Sequence, residues 1–126
     1  MNKSNFLITI MLGVLLCTVG CGNNTKEEQT DTDMLALIDA KLKKEPKDAT
    51  LHYQRALELL NRDRINDAIS SVNAAIKYDE DNVDYYILLA DLHLRNGDLK
   101  ASYGDLQQAL ELKPGSVDVY SKLGEI

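Results

Sequence analysis

Apolar positions fall along this chain in two regimes. From Phe6 to Val19 they are almost continuous, and Lys3 is the sole charged side chain among the first 21 residues. A run of about 14 is shorter than the roughly 20 residues that a bilayer-spanning helix needs, and it suits the apolar region of a secretory signal. Gly22 to Thr30 (GNNTKEEQT) has no apolar periodicity and reads as a flexible tether. Beyond it, apolar residues recur three and four apart, the spacing of helices with one buried face. Met34, Leu35, Ile38 and Leu42 share such a face on a helix predicted to start near Asp33 and to end before Pro46.

From Ala49 onward the pattern repeats every 34 residues. Laying 49–82 over 83–116 without gaps pairs His52 with Tyr86, Arg55 with Leu89, Ala56 with Ala90 and Leu59 with His93. The same overlay pairs Ile65 with Leu99, Ala68 with Ser102, Val72 with Leu106 and Ala75 with Ala109. One more step carries Tyr86 to Tyr120, Leu89 to Leu123 and Ala90 to Gly124, while Pro46 passes through Glu80 to Pro114. In period and residue type this resembles the tetratricopeptide repeat (TPR) family: a large residue, Leu and a small residue in the first helix, small residues where the second helix crosses, then Pro. The resemblance implies an all-α fold, an antiparallel helix-pair solenoid over residues 32–126. It would comprise two full repeats (49–82 and 83–116), a flanking helix on the open face of the first, and a truncated third repeat in 117–126.

Each residue type has a physical reason in that fold. Small residues at 56, 68, 90, 102 and 124 let paired helices close, and Leu88, Leu89, Leu92, Leu99, Leu106 and Leu110 supply the buried stripe. Asn96-Gly97-Asp98 forms the turn between paired helices, where Gly adopts positive φ, and Asn61-Arg62-Asp63 holds that place one period earlier. Arg55 stands where the family has Leu, and Glu80 where it has Pro; both read as tolerated variations. Tyr86 and Tyr120 read as core residues. Because about three repeats are normally needed for a stable solenoid, Tyr120 and Leu123 lack a following helix, and the reading frame is expected to continue past Ile126.

Thr18-Val19-Gly20-Cys21 resembles the lipobox of bacterial lipoproteins. The resemblance implies a signal peptide at 1–20, a lipid on Cys21, a tether over 21–31, and a cell-envelope location. Gly22 in place of an inner-membrane-retaining Asp favours the outer membrane. Two or three acyl chains at about 0.8 kcal/mol per buried CH₂ make such an anchor effectively permanent. Cys17 would leave with the signal, so the mature chain would have no thiol for a disulfide, a thiolate metal site or a nucleophile.

Composition then narrows the chemistry. The chain has 126 residues, with 14 Lys and Arg against 20 Asp and Glu, for a charge of −6; this is room for one small domain. The acidic balance argues against nucleic acid, since binding phosphates takes clustered Lys and Arg. From Asp79 to Ile126 there are ten acids and four bases, so the acidity lies in the second repeat and beyond. His52 and His93 are the only histidines and read as packed structural residues. No metal-ligand spacing, Ser or Cys nucleophile pattern, or Gly-rich phosphate loop is present, so no cofactor, metal or enzymatic activity is expected.

What remains is a binding surface. In the resembling family the concave groove is lined one place after the first large core position. That rule picks Thr50, Tyr53, Leu57, Leu60 and Asn61 from the first repeat, and Asp84, Ile87, Asp91, Leu94 and Arg95 from the second. Asp118, Ser121 and Glu125 follow from the third. Asp84 with Asp91, and Asp118 with Glu125, are each seven residues apart, about 10.5 Å of helix rise on nearly one face. A grid of four carboxylates is too wide for one Ca²⁺ and suits a basic peptide, although Asp91 with Arg95 and Asp118 with Lys122 also have the spacing of neutralising i,i+4 pairs. Chaperone-tail-binding members carry a Lys, Asn and Arg clamp for carboxylates; here Tyr53, Leu57, Leu88 and Asp118 stand at those places, with Lys122 the one suitable charge. The expectation is a membrane-anchored, non-enzymatic protein- or peptide-binding scaffold, or else the N-terminal interaction module of a longer enzyme, transport or secretion protein. Metabolic labelling with a radioactive fatty acid is expected to mark the wild-type chain and to lose its signal in Cys21→Ser; retained label would rule out that anchor.

Overall fold

The computed structural model describes residues 33–126. The expected signal peptide, Cys21 and the tether lie outside the described residues. Within them the chain forms α1 (Met34–Lys44), α2 (Ala49–Asn61), α3 (Ile65–Tyr78), α4 (Val83–Arg95), α5 (Leu99–Leu112) and α6 (Val117–Leu123). No strand occurs among the described residues. Each helix packs on the next in sequence, most extensively α2 on α3 and α4 on α5, as a solenoid of helix pairs requires.

Short polar segments set the helix boundaries. The side chains of Asp48, Asn82 and Ser116 accept hydrogen bonds from the backbone N–H groups of Leu51, Asp84 and Val119, capping α2, α4 and α6. These three caps are themselves 34 residues apart. The turns inside the pairs are equivalent too: Gly97 has φ of 80° and Asp63, one period earlier, has φ of 58°. Aspartate tolerates that left-handed conformation better than most residues, which is why the first repeat can do without glycine there.

The core follows the predicted register. Ala56, Leu59, Ala68, Val72, Ala75 and Leu92 are fully buried in one cluster that also holds Leu35, Tyr85, Leu88 and Leu89. Ala90, Leu106, Ala109 and Val119 form a second cluster. Leu35 and Ile38 are the buried residues of α1, which packs on α2 as the flanking helix should.

Two expectations about the core need correction. The position that is buried in every first helix is 51, 85 and 119 (Leu, Tyr, Val), one place before the residues read as core. At 52, 86 and 120 the side chain instead leans back along the chain. The His52 ring Nε2 is 2.8 Å from the Pro46 carbonyl oxygen, and the Tyr86 and Tyr120 hydroxyls donate to the Glu80 and Pro114 carbonyls at 2.9 and 3.2 Å. Each contact spans six residues, and each ties a first helix to the loop before it. This explains how one structural role accepts both histidine and tyrosine: it needs a flat ring with a hydrogen-bonding tip. Tyr120 is 56% exposed and Leu99 is 52% exposed, against half-buried Tyr86 and Ile65 one period earlier, because no later helix among the described residues covers them.

Replacing Leu92, whose side chain has no exposed surface, with Ala is expected to cost roughly 2–5 kcal/mol in urea unfolding, while Tyr120→Ala stays within about 1 kcal/mol. Equal losses would contradict this division of the repeat into buried and tethering positions.

Candidate functional site

The first helices of successive repeats converge on one depression. Tyr53 from α2, Asp84, Ile87, Leu88, Asp91 and Arg95 from α4, and Lys122 from α6 line a volume of about 300 Å³. Helical periodicity on α4 explains the grouping: residues 84, 87, 88, 91 and 95 recur at steps of three and four and so share one face. The apolar part is Tyr53, Ile87 and Leu88. The Tyr53 ring is braced by Tyr85, with centroids 5.0 Å apart and planes tilted by 31°. Burial, then the nearby Asp84 carboxylate and the Tyr85 phenol, push the Tyr53 hydroxyl above its ordinary pKa, so it remains a neutral donor.

The charged part is internally paired. Arg95 Nε donates to Asp91 Oδ2 at 2.8 Å, and Lys122 Nζ lies 3.6 Å from Asp91 Oδ1 and 3.0 Å from Glu125 Oε2. The hydrogen bond and the charge of Asp91 raise the Arg95 pKa, and the hydrogen bond to Glu125 leads the causes that raise that of Lys122. The four-carboxylate grid is therefore half neutralised. Lys122 does not take the i,i+4 pairing with Asp118 that its spacing allows; it reaches across to Asp91, which is only 22% exposed. Asp118 stays in the exposed first turn of α6, where the helix dipole already favours a negative charge.

Of the residues placed in the groove by sequence, Tyr53, Asp84, Ile87, Asp91 and Arg95 come together around the depression. Glu125 reaches it only through Lys122. Leu57, Asn61 and Asp118 are exposed and line no part of it. Leu88 and Lys122 also line it: Leu88 stands at a clamp place of the resembling family as well as in the buried stripe, and Lys122 is the one suitable charge as well as the i,i+4 neighbour of Asp118. Leu88 sits where α4 turns from core to groove, so its apolar character signalled both roles.

Two polar contacts outside the groove were not legible. Arg55 is no idle variation: its Nε donates to Asp39 Oδ1 of α1 at 2.7 Å and its Nη1 to Ser71 Oγ of α3 at 2.8 Å, joining three helices. Ser71 Oγ in turn donates to the Asp67 carbonyl. One period later Asp105 occupies the Ser71 position, and its Oδ2 is 2.6 Å from His93 Nδ1, with both side chains about one-fifth exposed or less. Among the described residues every buried side-chain nitrogen and oxygen has a hydrogen-bond partner, and no group of three or more His, Cys, Asp or Glu is placed to hold a metal ion. No helix among them is long and apolar enough to cross a membrane.

Comparison with known proteins supports the fold. Residues 53–117 match the family described as tetratricopeptide repeat. Among solved structures, the chain is similar to a crystal structure of MamA, with TM-score 0.71 and 17% identity over 82% of this chain and 61% of that one. It therefore spans about three-fifths of that protein's length. It is similar to the first repeat domain of Spaghetti (RPAP3) bound to the HSP90 peptide SRMEEVD, with TM-score 0.70 and 17% identity over 84% of each chain. The second repeat domain of human RPAP3, solved with the HSP70 peptide SGPTIEEVD, gives TM-score 0.70 and 19% identity over 84% of this chain and 88% of that one. No curated protein sequence matches.

The His93 and Asp105 pair generates a pH signature. Burial raises the Asp105 pKa above its unfolded value, and the contact with His93 only partly offsets this. A carboxyl raised on folding contributes stability that is present below its unfolded pKa of about 3.9 and is lost as pH rises through the folded value. Asp105→Asn keeps an acceptor for His93 but cannot ionise. The wild type should lose stability relative to this variant as pH is raised from about 4 towards 7 in urea melts; a constant difference would refute the assignment.

Proposed function

The chain belongs to the tetratricopeptide repeat family, and on that premise we propose that it is a non-enzymatic scaffold whose inner helices hold a segment of a partner protein. The observation that carries this reading is the convergence of α2, α4 and α6 on one depression with an apolar wall and a charged rim. Three helices fixed by core packing offer a preformed surface, so little ordering free energy is lost on binding. Enzymatic chemistry finds no such support: the two histidine side chains are engaged with the Pro46 carbonyl and with Asp105.

The rim defines the chemistry of the segment. Asp91 and Glu125 are matched by Arg95 and Lys122, while Asp84 forms no ion pair among the described residues. A peptide that sets an apolar side chain against Tyr53, Ile87 and Leu88, with a Lys or Arg reaching Asp84, fits this arrangement. The similar RPAP3 domains were solved with peptides ending EEVD. In this chain the cations on the inner face are occupied by their own carboxylates, and Asp84 and Asp118 would repel such a tail. Basic partners are therefore the better match.

The lipobox-like Thr18-Val19-Gly20-Cys21 supports a further part of the reading: a lipid on Cys21 that holds the domain at a bacterial envelope membrane, the outer membrane favoured. Confinement raises the effective concentration of partners at that surface, so a modest affinity suffices.

Crosslinking in intact cells followed by mass spectrometry is expected to recover a protein partner. Tyr53→Ala and Asp84→Lys, both with an unchanged far-UV circular dichroism spectrum, should each lower its yield roughly tenfold, equivalent to about 1.4 kcal/mol of affinity. Partner capture indifferent to both substitutions, or tight binding of a peptide ending EEVD by fluorescence anisotropy, would overturn the groove assignment.

A further inference from the structure

Among the described residues Arg55, Arg62, Arg64, Arg95 and Lys122 are ion-paired, and seven lysines are not. Five of those seven gather in one place. Lys41, Lys43 and Lys44 close α1, Lys47 follows in the loop to α2, and all four are exposed. Lys77 joins them through the fold. The His52 ring, held by the Pro46 carbonyl of that loop, stacks on Tyr78 at the end of α3 with centroids 5.5 Å apart, and Lys77 Nζ lies 5.7 Å from the Tyr78 ring centroid. Because α1 and α3 each join α2 through a short loop and pack on it, both end at this edge. The Tyr78 side chain is 39% exposed there.

Helix electrostatics explain one such charge but not the group. A cation in the last turn offsets the negative end of a helix. Yet the last turns of α2 and α5 carry no base, and those of α3 and α6 carry one each. Lys47 belongs to no helix. The acids within the segment are Glu45 and Asp48, and the Asp48 carboxylate is engaged in accepting from the Leu51 N–H. One period later the sign reverses: Asp79, Glu80 and Asp81 stand in the places of Glu45, Pro46 and Lys47. The edge is therefore polarised, cationic at α1 and anionic at the loop before α4.

Distance from the membrane decides what the cationic part meets. On the reading that Cys21 carries a lipid, Asp33 follows the anchor by twelve residues, at most roughly 40 Å of chain, and α1 adds about 16 Å to Lys44. The lysines stay within reach of the headgroups. A surface potential decays over about 8 Å at physiological salt, so lysines that touch the surface are attracted while the acidic second repeat, farther off, is screened. A tyrosine ring among lysine stems, with its apolar body and polar tip, suits the headgroup level.

We propose that this edge docks on anionic phospholipid headgroups and tilts the domain onto its α1 side, with the 79–81 loop turned away from the membrane. The contact is separate from the groove, and it rests on the reading of Cys21 as a lipid anchor.

The full chain, purified from its membrane and reconstituted in vesicles of phosphatidylcholine alone or with added phosphatidylglycerol, tests this by lysine reactivity. Reductive methylation keeps each ammonium charge, and mass spectrometry reads each lysine separately. Among copies that float with vesicles, Lys43, Lys44 and Lys47 should react roughly tenfold more slowly on the anionic vesicles, as they would with about nine-tenths of the copies docked. Lys100 and Lys113 should keep their rates. Raised salt should abolish the difference. In Lys44→Glu with Lys47→Glu, Lys43 should lose its protection while flotation and the circular dichroism spectrum stay unchanged. Protection shared by Lys100 and Lys113, protection that survives salt or the double substitution, or protection that needs an added protein would overturn the inference. A chain that floats with neither vesicle lacks the anchor and overturns both readings; one that floats with both and shows no contrast overturns this one alone.

Discussion

The close crossing of paired helices is the constraint from which the rest of the domain follows. Ala56 and Ala68 have no exposed surface, and Ala90 and Ser102 keep about 1%. Only side chains of this size let two helices approach until Leu59 and Val72 fill the space beside the first crossing, and Leu106 and Ala109 that beside the second. A larger residue at either position would separate the helices and open voids along both. Because the same crossing recurs each period, its geometry fixes the spacing of α2, α4 and α6, and with it the distance across the groove. Loop entry is fixed separately, by the ring at 52, 86 or 120 that reaches the carbonyl six residues earlier.

Against that apolar regularity, each repeat carries one polar slot on its second helix and solves it differently. At Ser71 a hydroxyl bridges Arg55 to the Asp67 carbonyl; at Asp105 a carboxylate meets His93. Replacing the usual Leu by Arg55 would leave a costly charge at a helix interface, yet Asp39 of the flanking helix and Ser71 together satisfy it. The consequence is directional. An apolar contact tolerates sliding, whereas a guanidinium held by one group on α1 and another on α3 accepts a single register. The extra helix is thereby fixed on the stack by more than its two buried apolar residues.

Most of the architecture was legible because a repeat shows the same physical requirement several times. A small residue at 56 is uninformative, but small residues at 56, 90 and 124 are not. The groove residues of α4 were legible for a similar reason, since one helix face can be counted from a single anchor. Other features depend on partners far apart in sequence. Arg55 meets Asp39 and Ser71, each 16 residues away, and Lys122 chooses Asp91, 31 residues away, over the nearer Asp118. Spacing along one helix cannot reveal those contacts, because they are set by which helices pack side by side. Leu99 and Tyr120 were misjudged for a different reason: their types announce burial, but burial is supplied by a neighbouring helix.

That dependence on neighbours connects the groove to the packing of α6. Stability in a solenoid is close to a sum over adjacent helices, so a short helix with few buried side chains is the first to open. α6 is seven residues long and buries Val119 alone, yet it contributes Lys122, the third wall of the groove and one of the two cations on Asp91. When α6 frays, Asp91 loses a cation, the depression loses a side, and the local charge becomes more negative. Anything that covers the outer face of α6 therefore also holds the groove in its complete form. By linkage, a ligand that needs Lys122 in place strengthens that outer contact by the same factor. The outer side of α6 and the concave face thus act through one short helix, and whatever steadies one favours binding at the other.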